Sequence, residues 1–176
     1  VVQDYKNMWD VANLLLQKTP SDNFTATMKL TFTPNQKNKG ERTGLIVMGR
    51  DYAGLFLENT DKGLTLSQVE CKRADKGKPE QSNASVSLTQ NTVYLKVKFK
   101  CDGKKIKASE GGHDLLVMCD FSYSLDGKKY QPLGNPFQAR EGQWIGTKIG
   151  TFCTRPAIVT NDGGWVDVDW FRIAKK

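Results

Sequence analysis

The residues best suited to hold a sugar or an ion lie between Trp144 and Ile173. The stretch opens Trp144-Ile145-Gly146-Thr147-Lys148-Ile149-Gly150, crosses a polar loop, and resumes at Asn161-Asp162-Gly163-Gly164-Trp165-Val166-Asp167-Val168-Asp169-Trp170. Three of the chain's four tryptophans fall here. An aromatic ring can cover the apolar side of a pyranose while neighbouring polar groups read its hydroxyls. Trp144, Trp165 and, outside this stretch, Tyr52 are the aromatics closest to loops. Tyr52 has Arg50 and Asp51 beside it, and Trp165 has Asn161 and Asp162 nearby. These five residues, Tyr52, Trp144, Trp165, Asp51 and Arg50, are the candidate carbohydrate contacts. An aromatic, acidic rim on a β-scaffold points to carbohydrate or a metal ahead of catalysis.

Asp167 and Asp169 alternate with valines and so share one face of a regular strand. That is too close for the opposed carboxylates of an inverting glycosidase. The pair suits a structural calcium, which accepts carboxylates and backbone carbonyls, or plain surface positions. The parity of this segment is inconsistent, however. Phe171 and Ile173 fall in register with the aspartates, whereas Val166, Val168 and Trp170 fall opposite. Either the strand is covered on both sides near its end, or a bulge near Asp169 resets the alternation.

Other chemistry is thinly represented. His113 is the only histidine, and Asp114 could orient it, but no serine or cysteine nucleophile motif accompanies the pair. Asp51, Glu58, Asp167 and Asp169 are not distinguished as an acid and a base of differing environment. Cys71, Cys101, Cys119 and Cys153 lack the close spacing of a zinc knuckle or a redox pair. Disulfides suit an exported chain; buried thiols suit Cys119 and Cys153, which sit in strand-like runs.

The elements that must position these residues are strands. Phe24, Ala26, Met28, Leu30 and Phe32 alternate with polar residues, as do Val93, Leu95, Val97 and Phe99, and then Leu115, Val117, Cys119, Phe121 and Tyr123. Each reads as a half-buried strand. Leu45-Ile46-Val47-Met48 is continuously apolar, as in a strand covered on both faces. Leu55 to Glu58 and Leu64 to Cys71 read as further strands, and Asp126-Gly127 signals a hairpin. Lys72 to Gln81 and Lys104 to Asp114 read as polar loops, the second as an insertion. The segment around Trp9 fits a helical turn or an edge strand. No amphipathic helix separates the strands, so a βαβ arrangement is excluded. The expected fold is all-β, with two packed antiparallel sheets.

A chain of 176 residues supplies one domain with a sizeable core. No apolar run approaches membrane-spanning length. The net charge of +7 raises the question of nucleic acid. The lysines are spread over turns and solvent-facing strand positions such as Lys96, Lys98 and Lys100, and that distribution argues against a phosphate-tracking stripe. The chain begins at Val1 without signal-peptide features.

Several stretches together resemble the C-terminal β-sandwich domain of family 43 glycoside hydrolases, the β-xylosidase and α-L-arabinofuranosidase group. They are Leu14-Leu15-Leu16-Gln17-Lys18, Phe24-Thr25-Ala26-Thr27, and Arg42-Thr43-Gly44-Leu45-Ile46-Val47-Met48-Gly49 with Asp51-Tyr52-Ala53. Phe121-Ser122-Tyr123-Ser124 with Asp126-Gly127-Lys128, Trp144-Ile145-Gly146 with Lys148, Phe152-Cys153, and Asn161-Asp162-Gly163-Gly164 running into Asp167-Val168-Asp169-Trp170-Phe171 complete the set. The resemblance implies a concanavalin A-like jelly roll over residues 1–176, without the family's catalytic β-propeller. The family's acid and base therefore map to no residue here. It implies a non-catalytic accessory domain that packs on an N-terminal propeller and helps shape its substrate pocket. The alternatives are a freestanding module binding xylo- or arabino-oligosaccharide, and a purely structural interaction domain. Relatives carry additional residues, including a first strand, ahead of the Trp9-Asp10 region, so a sheet edge is expected to be exposed unless Val1 to Lys6 covers it. The resemblance implies a periplasmic or extracellular location where the parent enzyme is exported, and a cytoplasmic one otherwise.

Overall fold

The computed structural model of the protein describes residues 5–108, 113–143, 145–155 and 162–175. In chain order the strands are β1 (Leu14–Lys18), β2 (Phe24–Thr33), β3 (Arg42–Met48), β4 (Tyr52–Thr60), β5 (Gly63–Cys71) and β6 (Gln81–Ser87). They continue as β7 (Thr92–Lys107), β8 (His113–Ser124), β9 (Gln131–Pro132), β10 (Phe137–Ala139), β11 (Lys148–Thr154) and β12 (Trp165–Lys175). One sheet runs β1-β11-β3-β4-β5-β6; the other runs β10-β8-β7-β2-β12, with β9 paired to β8. Neighbours pair antiparallel throughout. This is the two-sheet antiparallel sandwich that the alternation requires.

The main core lies between the sheets. The inward residues of β2, Phe24, Met28, Leu30 and Phe32, meet Leu45, Val47, Leu55 and Leu57 of the facing sheet. A second apolar layer covers the other side of the first sheet. There Ile46, Tyr52, Phe56 and Phe152 are buried under Met8 and Ala74. The two layers explain the unbroken apolar run at Leu45 to Met48, because successive side chains enter different layers. Each large side chain so buried contributes about 1.5–3 kcal/mol. The Trp9 segment is accordingly a turn over this outer layer, followed by β1 at the sheet's end.

Two elements differ from expectation, and in a third the structure selects one of two expected alternatives. The polar segment after Cys71 contains a short 3-10 turn, Ala74–Lys76, and then strand β6. Strand β6 is mostly small and polar, pairs with β5, and packs only Val86 against the main core. The segment read as an insertion is an extension of the β7–β8 hairpin, resumed after an irregularity between Cys101 and Lys105. His113 and Asp114 thus lie on β8, opposite Lys107 and Ile106, and not in a loop; residues 109–112 lie outside the described set. In β12, Val168 pairs with Leu30 and Trp170 with the next residue back, Lys29, leaving Asp169 as the extra residue. The bulge is what resets the parity. Phe171 and Ile173 thereby turn inward, and Trp170, which parity set beside the valines as a core residue, turns outward.

Candidate functional site

Tyr52 stands at the head of β4 and is fully buried in the outer layer. Its hydroxyl donates to Glu80 Oε1 at 2.6 Å and accepts from the Met8 amide at 2.9 Å. Arg42, from β3, donates through Nη1 to Glu80 Oε2 at 2.6 Å and through Nη2 to the Tyr5 hydroxyl at 3.2 Å. Its guanidinium also lies 5.3 Å from the Phe56 ring centroid. Burial works against the Arg42 charge, but the Glu80 carboxylate more than offsets it, and the net shift is upward. Burial, reinforced by Glu80, pushes the Tyr52 phenol well above its ordinary value. Asn7, also buried, donates to the carbonyls of Ala74 and Lys78. Residues 5–8 are thus clasped to the first sheet and to the loop after Cys71.

This geometry corrects the reading of Tyr52 as a sugar-stacking ring, because both faces and the hydroxyl are consumed inside the protein. Asp51 is likewise committed: its Oδ1 accepts from the Arg73 amide at 2.7 Å. That bond steadies Arg73, which adopts a left-handed φ of 57° at the start of the 3-10 turn. Arg50 is half-buried, with its backbone bonded to Glu141 and Ala74. Asp51 and Tyr52 fasten loops to the sheet through their side chains, and Arg50 does so through its backbone.

A second clasp accounts for the Asp162-Gly163-Gly164 part of the C-terminal motif. The buried Glu41 carboxylate accepts from the Asn35 amide at 2.7 Å, from Asn38 Nδ2 at 3.4 Å and from the Gly164 amide at 2.9 Å. A Cβ at Gly164 would lie 2.6 Å from Glu41 Oε2, the Pro34 Cα and the Thr33 carbonyl oxygen. Asn59, at the far end of β4, donates to the carbonyls of Asn35 and Asn38. A cleft of about 460 Å³ opens here, lined in part by Tyr5, Asp10, Glu41 and Arg155. Two backbone amides and one side-chain amide converge on Glu41, which serves as a hub for the loops around it.

Trp165, by contrast, is 59% exposed at the start of β12. It remains the one candidate contact with an open ring among the described residues; Trp144 and Asn161 lie outside that set. The bulge separates Asp167, opposite Thr31, from Asp169, whose carboxylate is 3.3 Å from Lys29 Nζ. No group of three or more His, Cys, Asp or Glu side chains converges among the described residues. Among the described residues, then, Asp169 is matched by a lysine and no third carboxylate joins it and Asp167. The four cysteines are free thiols, Cys71 and Cys119 buried.

Sequence reasoning missed Arg42, Glu80 and Glu41 as organising residues. Arg42 stood inside a recognised motif, but its partner is thirty-eight residues away, and nothing in a strand pattern signals such a pairing. The same motif's Gly44 admits no side chain, because a Cβ there would meet the Leu55 backbone.

The fold and these clasps define a concanavalin A-like β-sandwich whose buried polar groups fasten loops to sheets. The chain belongs to the family described as the β-xylosidase C-terminal concanavalin A-like domain, which matches residues 2–174. No curated protein matches it. Among solved structures it is similar to a bifunctional GH43-CE protein of Bacteroides eggerthii. That match has 22% identity and a TM-score of 0.75, covering 99% of this chain and 20% of that one. It is also similar to a xylan β-1,4-xylosidase of Bacillus halodurans, at 16% identity and a TM-score of 0.70, covering 99% of this chain and 31% of that one. A GH43 protein of Bacillus licheniformis gives 19% and 0.68, covering 99% and 32%. The chain therefore spans about a fifth to a third of the length of these relatives.

Proposed function

We propose that this chain is the accessory sandwich of a hemicellulose-degrading glycoside hydrolase of β-xylosidase or α-L-arabinofuranosidase type. In this reading it packs on a catalytic β-propeller and helps shape that domain's substrate pocket. The observation that carries the reading is the match of residues 2–174 to a family defined as the C-terminal domain of β-xylosidase. The internal chemistry agrees with it. The carboxylates of Glu41 and Glu80 are spent on amides, a tyrosine and an arginine, which stiffens the scaffold. A stiff sandwich holds its loops in fixed positions against a neighbouring domain, and positioning is the contribution a domain without an acid–base pair can make.

Two assays test this. The chain by itself, offered nitrophenyl β-D-xyloside and α-L-arabinofuranoside, is expected to release no nitrophenol. The whole gene product, assayed with and without this sandwich, is expected to lose kcat/KM and thermal stability when the sandwich is removed. Turnover by the isolated chain that vanishes on a point substitution overturns the proposal. So does an enzyme indifferent to the loss of the domain.

A further inference from the structure

The outward face of the second sheet carries an ordered set of aromatic and cationic side chains that the clasps do not use. Two transverse rows define it. In one, Trp170 of β12 faces Lys29 of β2, which faces Tyr94 of β7, which faces Ser124 of β8. In the next, Arg172 faces Thr27, then Lys96, then Ser122, with Pro132 of β9 beyond. The Trp170 and Tyr94 rings have centroids 6.0 Å apart at 52°. Tyr94 is wedged against the Asp126-Gly127 turn, where a Cβ on Gly127 would come 2.8 Å from its ring. Tyr130 closes the row, with Lys96 Nζ 3.2 Å from its ring centroid. At the other end Arg172 lies 4.3 Å over the Trp170 ring.

The bulge at Asp169 is responsible for this face. Without the extra residue Trp170 would point into the core, and Arg172 with it. Lys29 is matched by Asp169, and Lys100 by Asp120. Arg172 and Lys96 have no carboxylate partner among the described residues; each rests on a ring instead. A cation held over an aromatic face keeps its outward N–H donors for an incoming anion. Two strand spacings separate the two cations across the sheet, about 10 Å.

We infer that this face binds an anionic polysaccharide: pyranose rings laid along Trp170, Tyr94 and Tyr130, with uronate carboxylates taken by Arg172 and Lys96. Charge distribution selects this ligand over nucleic acid. Asp167, Asp169 and Asp120 are interspersed on the same face, opposite Thr31, beside Lys29 and opposite Lys98. A strand with a phosphate on every nucleotide would meet Asp167 and would find Lys29 and Lys100 already matched by Asp169 and Asp120. A polymer bearing a carboxylate on occasional sugars can place it at a cation and offer neutral hydroxyls to the aspartates. The choice of xylose as the backbone sugar rests on the function proposed above; the uronate requirement rests on the face alone.

The test is calorimetric titration of the chain with a glucuronic acid-substituted xylo-oligosaccharide and with its unsubstituted counterpart. The acidic ligand is expected to bind, more weakly as salt rises, and the neutral one at least tenfold more weakly, about the worth of one charge-assisted contact. Arg172→Gln and Lys96→Gln should each weaken the acidic ligand by about tenfold with unchanged melting temperature. Lys100→Gln, whose native lysine already pairs with Asp120, should leave binding intact. The inference fails if the acidic oligosaccharide does not bind, if it binds no better than the neutral one, or if Arg172→Gln and Lys96→Gln have no effect. It also fails if single-stranded polyuridylate is held more tightly than the uronate. Any of these outcomes leaves the pocket-shaping role untouched, since that role is read from catalysis by the whole enzyme.

Discussion

Replacing Tyr52 with phenylalanine separates the two roles open to that residue. A sugar platform would keep its stacking ring and its stability. In the structure, the change deletes a hydroxyl that serves two partners within a sealed layer. The Met8 amide, fully buried, loses the acceptor it has among the described residues, and a buried unpaired donor costs about 1–3 kcal/mol. The 2.6 Å bond to Glu80 is charge-assisted, and its loss costs about 1.5–3 kcal/mol. The two losses overlap, because Glu80 keeps Arg42, so a net destabilisation of about 2–4 kcal/mol is expected. For a domain of this size that lowers Tm by roughly 5–12 °C. Thermal unfolding followed by circular dichroism reads it directly. Glu80→Gln should cost more, about 3–5 kcal/mol, by leaving a buried guanidinium without its carboxylate. The double variant should fall short of the sum by at least about 1 kcal/mol. A Tyr52→Phe protein melting within a degree of the parent would refute the clasp.

The remaining expectations concern pH and two turns. Burial pushes the Cys71 thiol up to about 11, and burial raises Cys119 and Tyr52 as well. The folded state therefore keeps protons that the unfolded chain releases. Stability is complete below about pH 9 and declines above it, by about 1.4 kcal/mol per pH unit for each thiol, with Tyr52 adding its share only above about pH 10. Urea midpoints between pH 8 and pH 10.5 should show the slope (roughly the window above the ordinary thiol value), and Cys71→Ser should make it shallower without abolishing it, because Cys119 remains; a flat profile in the parent protein contradicts the burial argument. Asp126 is drawn down to about 2 by the amides of Lys129 and Lys128 and the Ser124 hydroxyl. Its support of the turn is present above the ordinary carboxyl value and lost as pH falls toward 2. Carbon-detected NMR titration should place it there, and Ser124→Ala should move it upward. Gly164→Ala, which drives a methyl into two backbone neighbours and Glu41, should cost about 1–3 kcal/mol. Gly146→Ala, with open space around it, should be neutral; equal melting temperatures for the two variants would remove the Glu41 clasp from the account.

The strands were legible because their alternation is a direct consequence of one-sided burial. Phe24 to Phe32 and Val93 to Phe99 could face a core in one way only. The turn at Asp126-Gly127 was legible for a local reason, since Gly127 takes a positive φ of 72°. Strand β6 was not, because its small polar side chains bury little and its partner supplies the order. The residues named as a ligand rim show the same division. Sequence could mark Tyr52, Asp51 and Trp165 as aromatic or acidic near turns, but exposure is a property of what packs above them.

Composition and period alone determined an all-β sandwich with a doubly covered strand at Leu45 to Met48, and the order of motifs determined its family. Tertiary structure decided which polar residues are clasps and which are surface. Arg42 finds Glu80, and Glu41 finds Gly164, across long separations that no local pattern encodes. The sharpest case is Asp169. The sequence left its strand with two incompatible faces, and only pairing with β2 shows that one residue is extruded. A shift of one residue exchanges the two faces of a strand. That shift sends Phe171 and Ile173 inward and sets Trp170 and Arg172 on the outer face, where a ligand can reach them.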